Sequence, residues 1–376
     1  MPKKMNLISK LHQEFVANKI QNIDWFKGSD SPLIVELDTT EACDLACPGC
    51  ISEDIMKTKN RFTNERLLEL GIEFYENGVK GVILIGGGEP LAHPAVGEFM
   101  QYLGEHDIHI GITTNGTFIN KYLEQIVQYS SWTRVSMDAG TDKTFKLLRP
   151  SKGGKSKFNH VIANMEALAK VKKGKLGYSY LIQTGADGIG VTPNVNEIYQ
   201  AAQLARDIGC DYFEVKPSYQ FRDNVDHALV KHDSKLMQQA REQVAQLDEL
   251  VTDNFAILKA INLDYSLSGV QNSQPKNYTH CPVAELRTLI CPSGVFVCPY
   301  WRGKERMCIG DVNHQTLSEV WHGELRKTVM ERLNPSKHCT FHCLRHESNL
   351  EVINMAKLIK NDKDAIEIVP EFDRFI

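Results

Sequence analysis

Six strand-sized apolar segments alternate with helix-period segments along the first two thirds of the chain. This alternation constrains the fold more than any other feature. The strand-like segments are Leu33–Leu37, Gly81–Ile85, Ile108–Thr113, Thr133–Met137, Leu176–Ile182 and Tyr212–Val215. Between them, Asn64–Tyr75, Ala95–Leu103, Lys121–Gln128, His160–Val171 and Val195–Ile208 carry apolar residues at helical spacing, and Ser234–Leu250 adds a sixth helix. A repeated βα pattern predicts a parallel sheet with right-handed crossovers. Whether that sheet is open or curls into a partial barrel, ligands gather at the carboxyl ends of its strands.

The length of 376 residues fits two domains, or one large domain with an appendage. Lys and Arg number 43 against 47 Asp and Glu, a net charge of −4, which excludes a basic chain built to coat nucleic acid. No apolar run reaches the roughly 18 residues of a membrane span, and the basic start MPKKMNLISKLHQEF lacks the apolar core of a secretion signal. A cytoplasmic protein, partnered by neither membrane nor nucleic acid, is therefore expected. In a reducing compartment, ten clustered cysteines point to metal ligation or catalysis rather than disulfides.

An amphipathic lead-in occupies residues 1–30, with Leu7, Leu11, Phe15 and Ile20 on one face, and the βα region spans 31–265. The polar, breaker-rich SGVQNSQPKNYTH opens a cysteine-rich segment at 266–350, too poor in apolar residues to fold without a metal staple. A helix and tail complete the chain at 351–376. The lysine-rich stretches Ser151–Lys157 and Lys170–Lys175 read as solvated turns.

The first strand runs into Cys43, Cys47 and Cys50, spaced C-x3-C-x2-C. Three thiolates on one short loop can hold three irons of a [4Fe–4S] cube and leave the fourth open to a small molecule. Structural zinc normally wants four ligands and CxxC pairs, and a disulfide would leave an odd cysteine. With Gly86-Gly87-Gly88-Glu89-Pro90 after the second strand, this loop resembles the signature of the radical SAM superfamily. The resemblance implies a partial (βα)6 barrel with a C-terminal Cys-rich auxiliary-cluster subdomain. It also implies that the segment Gly87, Gly88, Glu89 meets the methionyl amine of S-adenosylmethionine, since glycines admit a close backbone and Glu89 offers a carboxylate to an ammonium. Thr114 and Asn115 after the third strand, and Ser136 and Asp138 after the fourth, are then expected at the ribose and carboxylate of that cofactor. The family usually has an aromatic residue before the third cysteine, where this chain has Gly49, so the adenine contact must be made differently.

Beyond residue 280, a hairpin with a Pro292-Ser293-Gly294 turn, the segment Gly310-Asp311-Val312-Asn313 and a short Leu317–Trp321 helix resemble the auxiliary-cluster subdomains called SPASM and twitch. By similarity to 2-deoxy-scyllo-inosamine dehydrogenase-type enzymes, Cys281, Cys298, Cys339 and Cys343 hold one auxiliary [4Fe–4S] cluster, although the late pair here is C-x3-C. Cys210 reads as a packed apolar residue. Cys291 and Cys308 are candidates for a thiol that returns hydrogen to a substrate radical. Lys216 and Tyr219, with Tyr180 or Gln183, are candidate polar partners at the strand ends.

The resemblance implies reductive cleavage of S-adenosylmethionine to a 5′-deoxyadenosyl radical, with a flavodoxin- or ferredoxin-type reductant. The expected substrate is a small polyhydroxylated molecule, sugar- or aminocyclitol-like, oxidised by a dehydrogenase reaction or epimerised at a carbinol carbon. The alternative is a SPASM-type maturase acting on a ribosomally made peptide. The short lead-in argues against that alternative, because such enzymes commonly carry a larger peptide-recognition domain.

Overall fold

In the computed structural model, residues 7–25, 27–184, 192–217, 234–261, 263–268, 276–339, 343–361 and 366–376 are described. Seven parallel strands follow the order of the chain: β1 (Ile34–Asp38), β2 (Gly81–Ile85), β3 (His109–Thr114), β4 (Ser130–Ser136), β5 (Lys175–Ile182), β6 (Tyr212–Pro217) and β7 (Ala256–Lys259). Helices connect them, among them Asn64–Glu76, Val96–Glu105, Leu123–Tyr129, Phe158–Val171 and Ile198–Ile208. The first six strands and their helices lie where the periodicity puts them. This is the mixed α/β parallel core of a partial barrel.

Helices cover one face of the strands, which is apolar, whereas the interior face carries buried charged groups such as Glu36, Asp38 and Glu214. Val35, Leu37, Val82, Leu84, Ile110 and Ile112 are all fully buried. Helix boundaries follow local chemistry. Thr63 caps Asn64–Glu76 by accepting the Arg66 N–H, and Gly209 closes Ile198–Ile208 in the left-handed region at φ +94°.

The sheet does not stop at six strands. β7 adds beyond β6, on a segment too short and too mixed in polarity to stand out by periodicity. At the opposite edge, β8 (Arg287–Cys291) pairs in parallel with β1, with Ile34 opposite Arg287 and Leu37 opposite Ile290. β9 (Gly294–Phe296) returns antiparallel through the Pro-Ser-Gly turn, and β10 (Cys308–Gly310) follows, giving the order β10-β9-β8-β1-β2-β3-β4-β5-β6-β7. The cysteine-rich segment therefore shares the barrel's core. Trp301, Met307, Val312 and Val320 belong to the same apolar cluster as Val35 and Leu37. No described helix is long and apolar enough to cross a membrane.

A buried ion network crosses the sheet below the strand ends. Arg134 on β4 donates to both oxygens of Glu214 on β6, at 3.0 and 3.2 Å, and Lys216 donates to the same carboxylate at 3.0 Å. Burial alone would push the Glu214 carboxyl up, but the Arg134 and Lys216 cations outweigh it and bring it down from 4.5 to about 2. The folded chain thus holds this carboxylate ionised where the unfolded chain has begun to protonate it. The resulting stability is present above pH 4.5 and is lost as pH falls towards 2, with a ceiling on the order of 3 kcal/mol. In acid-denaturation curves, Glu214→Gln should remove that part of the wild-type pH dependence. An unchanged slope between pH 4.5 and 2 would show that the network does not hold the carboxylate down.

Candidate active site

The loop after β1 is fixed from three directions. The Glu89 N–H donates to the Ala42 carbonyl at 2.9 Å, and the Ala46 N–H to the Pro150 carbonyl at 2.8 Å. The Asp44 carboxylate accepts from Asn115 Nδ2 at 2.8 Å and from Lys157 Nζ at 2.7 Å. Lys157 is thus a fastening of the cysteine loop, correcting its reading as part of a solvated turn; its lysine neighbourhood looked solvated because Asp44 lies 113 residues away. Gly49 takes φ +70°, which lets the chain reverse between Cys47 and Cys50.

Cys43, Cys47 and Cys50 are free and half-buried. Burial pushes the Cys43 thiol up to about 12, with Glu89 and Asp44 adding to the shift. Burial also raises Cys47, against the opposing charge of Arg149. Bare thiolates are costly in this loop, so a set of donors that must ionise to ligate calls for strongly cationic iron. The tight packing beside it fits the same purpose. A Cβ on Gly88 would lie 2.2 Å from the Ala42 carbonyl oxygen, so only glycine lets the Gly86–Glu89 segment lie against the loop.

Glu89 is 1% exposed. Its Oε1 accepts from the Thr114 hydroxyl at 2.5 Å and the Leu91 N–H at 3.1 Å, and its Oε2 accepts from the Asn115 N–H at 2.7 Å. Burial lifts the carboxyl to about 7 in spite of these donors. The sequence suggests a carboxylate free to meet an ammonium, whereas the structure commits both oxygens to tying the end of β2 to the end of β3.

Asp138, just past β4, has the uncommon φ of +56°. Its Oδ1 accepts from the Leu181 N–H at 2.8 Å and its Oδ2 from Arg149 at 2.6 Å. Sequence reasoning missed Arg149 as a site residue; its signal was the Leu148-Arg149-Pro150 run that also receives the cysteine loop. The Arg149 guanidinium also feels the charges of Cys47 and Cys50, and its Nε is buried without a hydrogen-bond partner.

These groups line one cavity of about 480 Å³. Cys43, Cys47, Cys50, Gly87, Gly88, Glu89, Thr114, Asn115, Ser136, Asp138, Arg149, Gln183 and Lys216 form the barrel side. Pro299, Tyr300, Arg302 and Leu344 close it from the cysteine-rich side. Arg302 is anchored by a salt bridge to the buried Asp38 at the end of β1, 2.7 Å from Nε to Oδ2. Tyr219 lies outside the described residues. Tyr180 is buried and donates to the Asn194 carbonyl at 2.6 Å.

Neither candidate hydrogen-returning thiol lines the cavity. Cys291 is fully buried and donates to Asp38 Oδ2 at 3.2 Å, while Cys308 faces the Gly310 carbonyl at 3.4 Å beside Leu289 and Phe296. They stand on β8 and β10 on either side of β9, in a small apolar cluster, and Asp38, the partner of Cys291, also bridges the cavity-lining Arg302. Cys210 is buried, as its apolar reading requires.

Cys281, Cys298, Cys339 and Cys343 form a separate set. Cys298 interacts electrostatically with all three of the others, and Cys339 with Cys281 and Cys343. Burial pushes Cys281 up to about 12 and raises the other three. Among the described residues, no three His, Cys, Asp or Glu side chains converge closely enough to hold a single metal ion. A zinc centre would draw its sulfurs to about 2.3 Å of one point. A cubane takes each thiolate at a different corner, and four mutually influencing but spread thiols suit it better.

Residues 37–197 match the family described as the Radical SAM superfamily. The mycofactocin maturase MftC of Mycolicibacterium smegmatis is 23% identical over 314 residues, covering 81% of this chain and 74% of that protein. The antilisterial bacteriocin subtilosin biosynthesis protein AlbA of Bacillus subtilis is 23% identical, covering 82% of this chain and 64% of that protein. Among solved structures, Streptococcus suis SuiB bound to its precursor peptide SuiA superposes with a TM-score of 0.61 at 15% identity, over 94% of this chain and 79% of SuiB. The enzyme anSMEcpe with AdoMet and a Cp18Cys peptide gives 0.58 at 15%, over 87% and 99%. These likenesses correct the substrate expectation. Relatives named for a maturase and for bacteriocin biosynthesis overturn the small polyhydroxylated substrate, and nothing in them supports carbinol oxidation or epimerisation. The sugar reading leaned on short strand-end segments such as VSMDAG and FEVKPSY, of which Ser136, Asp138, Lys216 and Pro217 line the cavity. Residues 37–197 of this chain are thus similar to the radical SAM superfamily, whose chemistry runs on a [4Fe–4S] cluster and S-adenosylmethionine.

Proposed function

We propose that this protein is a radical SAM enzyme that modifies a peptide. The reading is carried by similarity to MftC across 81% of this chain, a span about twice that of the family match itself. In this reading Cys43, Cys47 and Cys50 hold the cluster that binds S-adenosylmethionine, and Cys281, Cys298, Cys339 and Cys343 hold an auxiliary [4Fe–4S] cluster. When bound, the first cluster and its cofactor supply a 5′-deoxyadenosyl radical that takes hydrogen from the substrate.

The chain's own residues bind, orient and shield. Gly87 and Gly88 bring backbone close to the open corner of the cysteine loop, and Glu89 holds the ends of β2 and β3 in register. Arg149, buried between Asp138 and Cys47, is the cation placed to receive the cofactor's carboxylate. Ser136 and Asp138 stand on the same wall, with Thr114 and Asn115 beside them. On the far wall, Tyr300, Leu344 and Pro299 offer apolar surface to a peptide side chain, and on the barrel side Lys216, held by Glu214, offers a polar contact. Electrons come from a flavodoxin- or ferredoxin-type donor.

Anaerobically reconstituted protein with dithionite should convert S-adenosylmethionine to 5′-deoxyadenosine. Incubated with a library of deuterated peptides, it should move deuterium into that product and change the mass of a peptide. Deuterium arriving only from sugars or aminocyclitols would refute the peptide reading, and absence of 5′-deoxyadenosine would refute the radical reading. Arg149→Met should keep the iron content while weakening S-adenosylmethionine binding about ten- to a hundredfold, the loss of a buried charge-assisted contact. Unchanged binding by calorimetry would place the carboxylate elsewhere.

A further inference from the structure

The wall of the second cysteine set is cationic, and the mechanism above makes no use of that charge. Arg345 follows Cys343 by two residues, and its backbone N–H donates to the Cys343 sulfur. Its guanidinium lies close enough to feel the charges of Cys343, Tyr300 and Cys298. Nη1 is buried with no hydrogen-bond partner, and no carboxylate among the described residues forms a salt bridge with it. The other charged groups near it are Arg287 and Lys10, both cations. Arg287 is already occupied by Glu36 and by the Ile376 carbonyl, and Lys10 by Asp373.

Lys276 supplies a second cation. Only 5% of it is exposed, and Cys343 and Cys339 act on it more strongly than the charge of Glu347. A buried guanidinium nitrogen left without an acceptor is costly. Here the acceptors that would repay it are sulfurs, which become anionic when iron binds.

We infer that Arg345, with Lys276, forms a cationic wall that raises the reduction potential of the auxiliary cluster. The inference rests on the reading of Cys281, Cys298, Cys339 and Cys343 as ligands of that cluster. A four-thiolate cubane is anionic, and taking up one electron adds one negative charge. A fixed cation beside it therefore favours the reduced form, and donors to the sulfurs act in the same direction. In a low-dielectric site the effect is large, because little water screens it. Both are positioning residues: they bind no iron and set how readily the cluster accepts one electron from the reductant.

The test uses full-length protein with Cys43, Cys47 and Cys50 changed to Ala, reconstituted anaerobically and titrated with dithionite under EPR. At the parent's midpoint, Arg345→Gln should lower the reduced-to-oxidised ratio about tenfold, equivalent to 59 mV for a one-electron couple. Lys276→Gln should shift it in the same direction, and Arg345→Lys, which keeps the charge, should stay within about threefold of the parent. Titrations of Arg345→Gln and Lys276→Gln that coincide with the parent would overturn the inference while leaving the cluster in place. If Arg345→Gln assembles no cluster, Lys276→Gln decides, and an unchanged midpoint there overturns it. A parent without iron would remove the auxiliary cluster itself, and the inference with it.

Discussion

The cavity depends on one buried carboxylate. Glu89 accepts from Thr114, Asn115 and Leu91, and its own N–H reaches across to Ala42. Through these contacts it joins the ends of β2 and β3 to the loop that carries Cys43, Cys47 and Cys50. Asn115 extends the chain of bonds through Asp44 to Lys157. Burying a carboxyl costs free energy unless donors surround it, and its rise to about 7 shows that the cost is only partly offset. The arrangement holds three thiols at fixed positions on an irregular loop, as a cluster with one open corner requires.

The second constraint is the continuity of the sheet. Because β8 pairs with β1, the cysteine-rich segment is built onto the barrel at the strand whose end carries the first cysteine loop. The Arg302–Asp38 bridge ties that segment to the carboxyl end of β1, and Tyr300 and Leu344 come with it to the cavity. The cavity is thus bounded by the first cysteine loop and by residues next to the second cysteine set. The proposed peptide reading uses such a space, with the first cysteine loop on one wall and Pro299, Tyr300 and Leu344 on the other.

The barrel and the first cysteine loop were legible in sequence because their signals are local. Six apolar strands alternate with six helical periods, and C-x3-C-x2-C lies within eight residues. The Pro-Ser-Gly turn likewise announces the hairpin of β8 and β9. What escaped notice depends on contacts between distant segments. β8 lies beside β1 although about 250 residues separate Ile34 from Arg287. Lys157 and Arg149 look like surface cations until Asp44, Asp138 and Cys47 are placed against them. Cys291 and Cys308 look like thiols free to quench a radical until Cys291 is placed against Asp38 and Cys308 against the Gly310 carbonyl. The substrate was the least legible part, since strand-end segments shape the cofactor pocket and say little about the molecule on the opposite wall.

The central claim of the proposed reading is that the chain holds two independent iron–sulfur sites. Iron and labile sulfide should be counted in anaerobically reconstituted wild type, in the Cys43, Cys47, Cys50 triple-alanine variant, and in a variant with Cys281, Cys298, Cys339 and Cys343 changed to Ala. The account predicts about eight irons in the wild type and about four in each variant, with cubane spectra throughout. About four irons in the wild type and none in the triple-alanine variant would contradict it and leave a single-cluster enzyme.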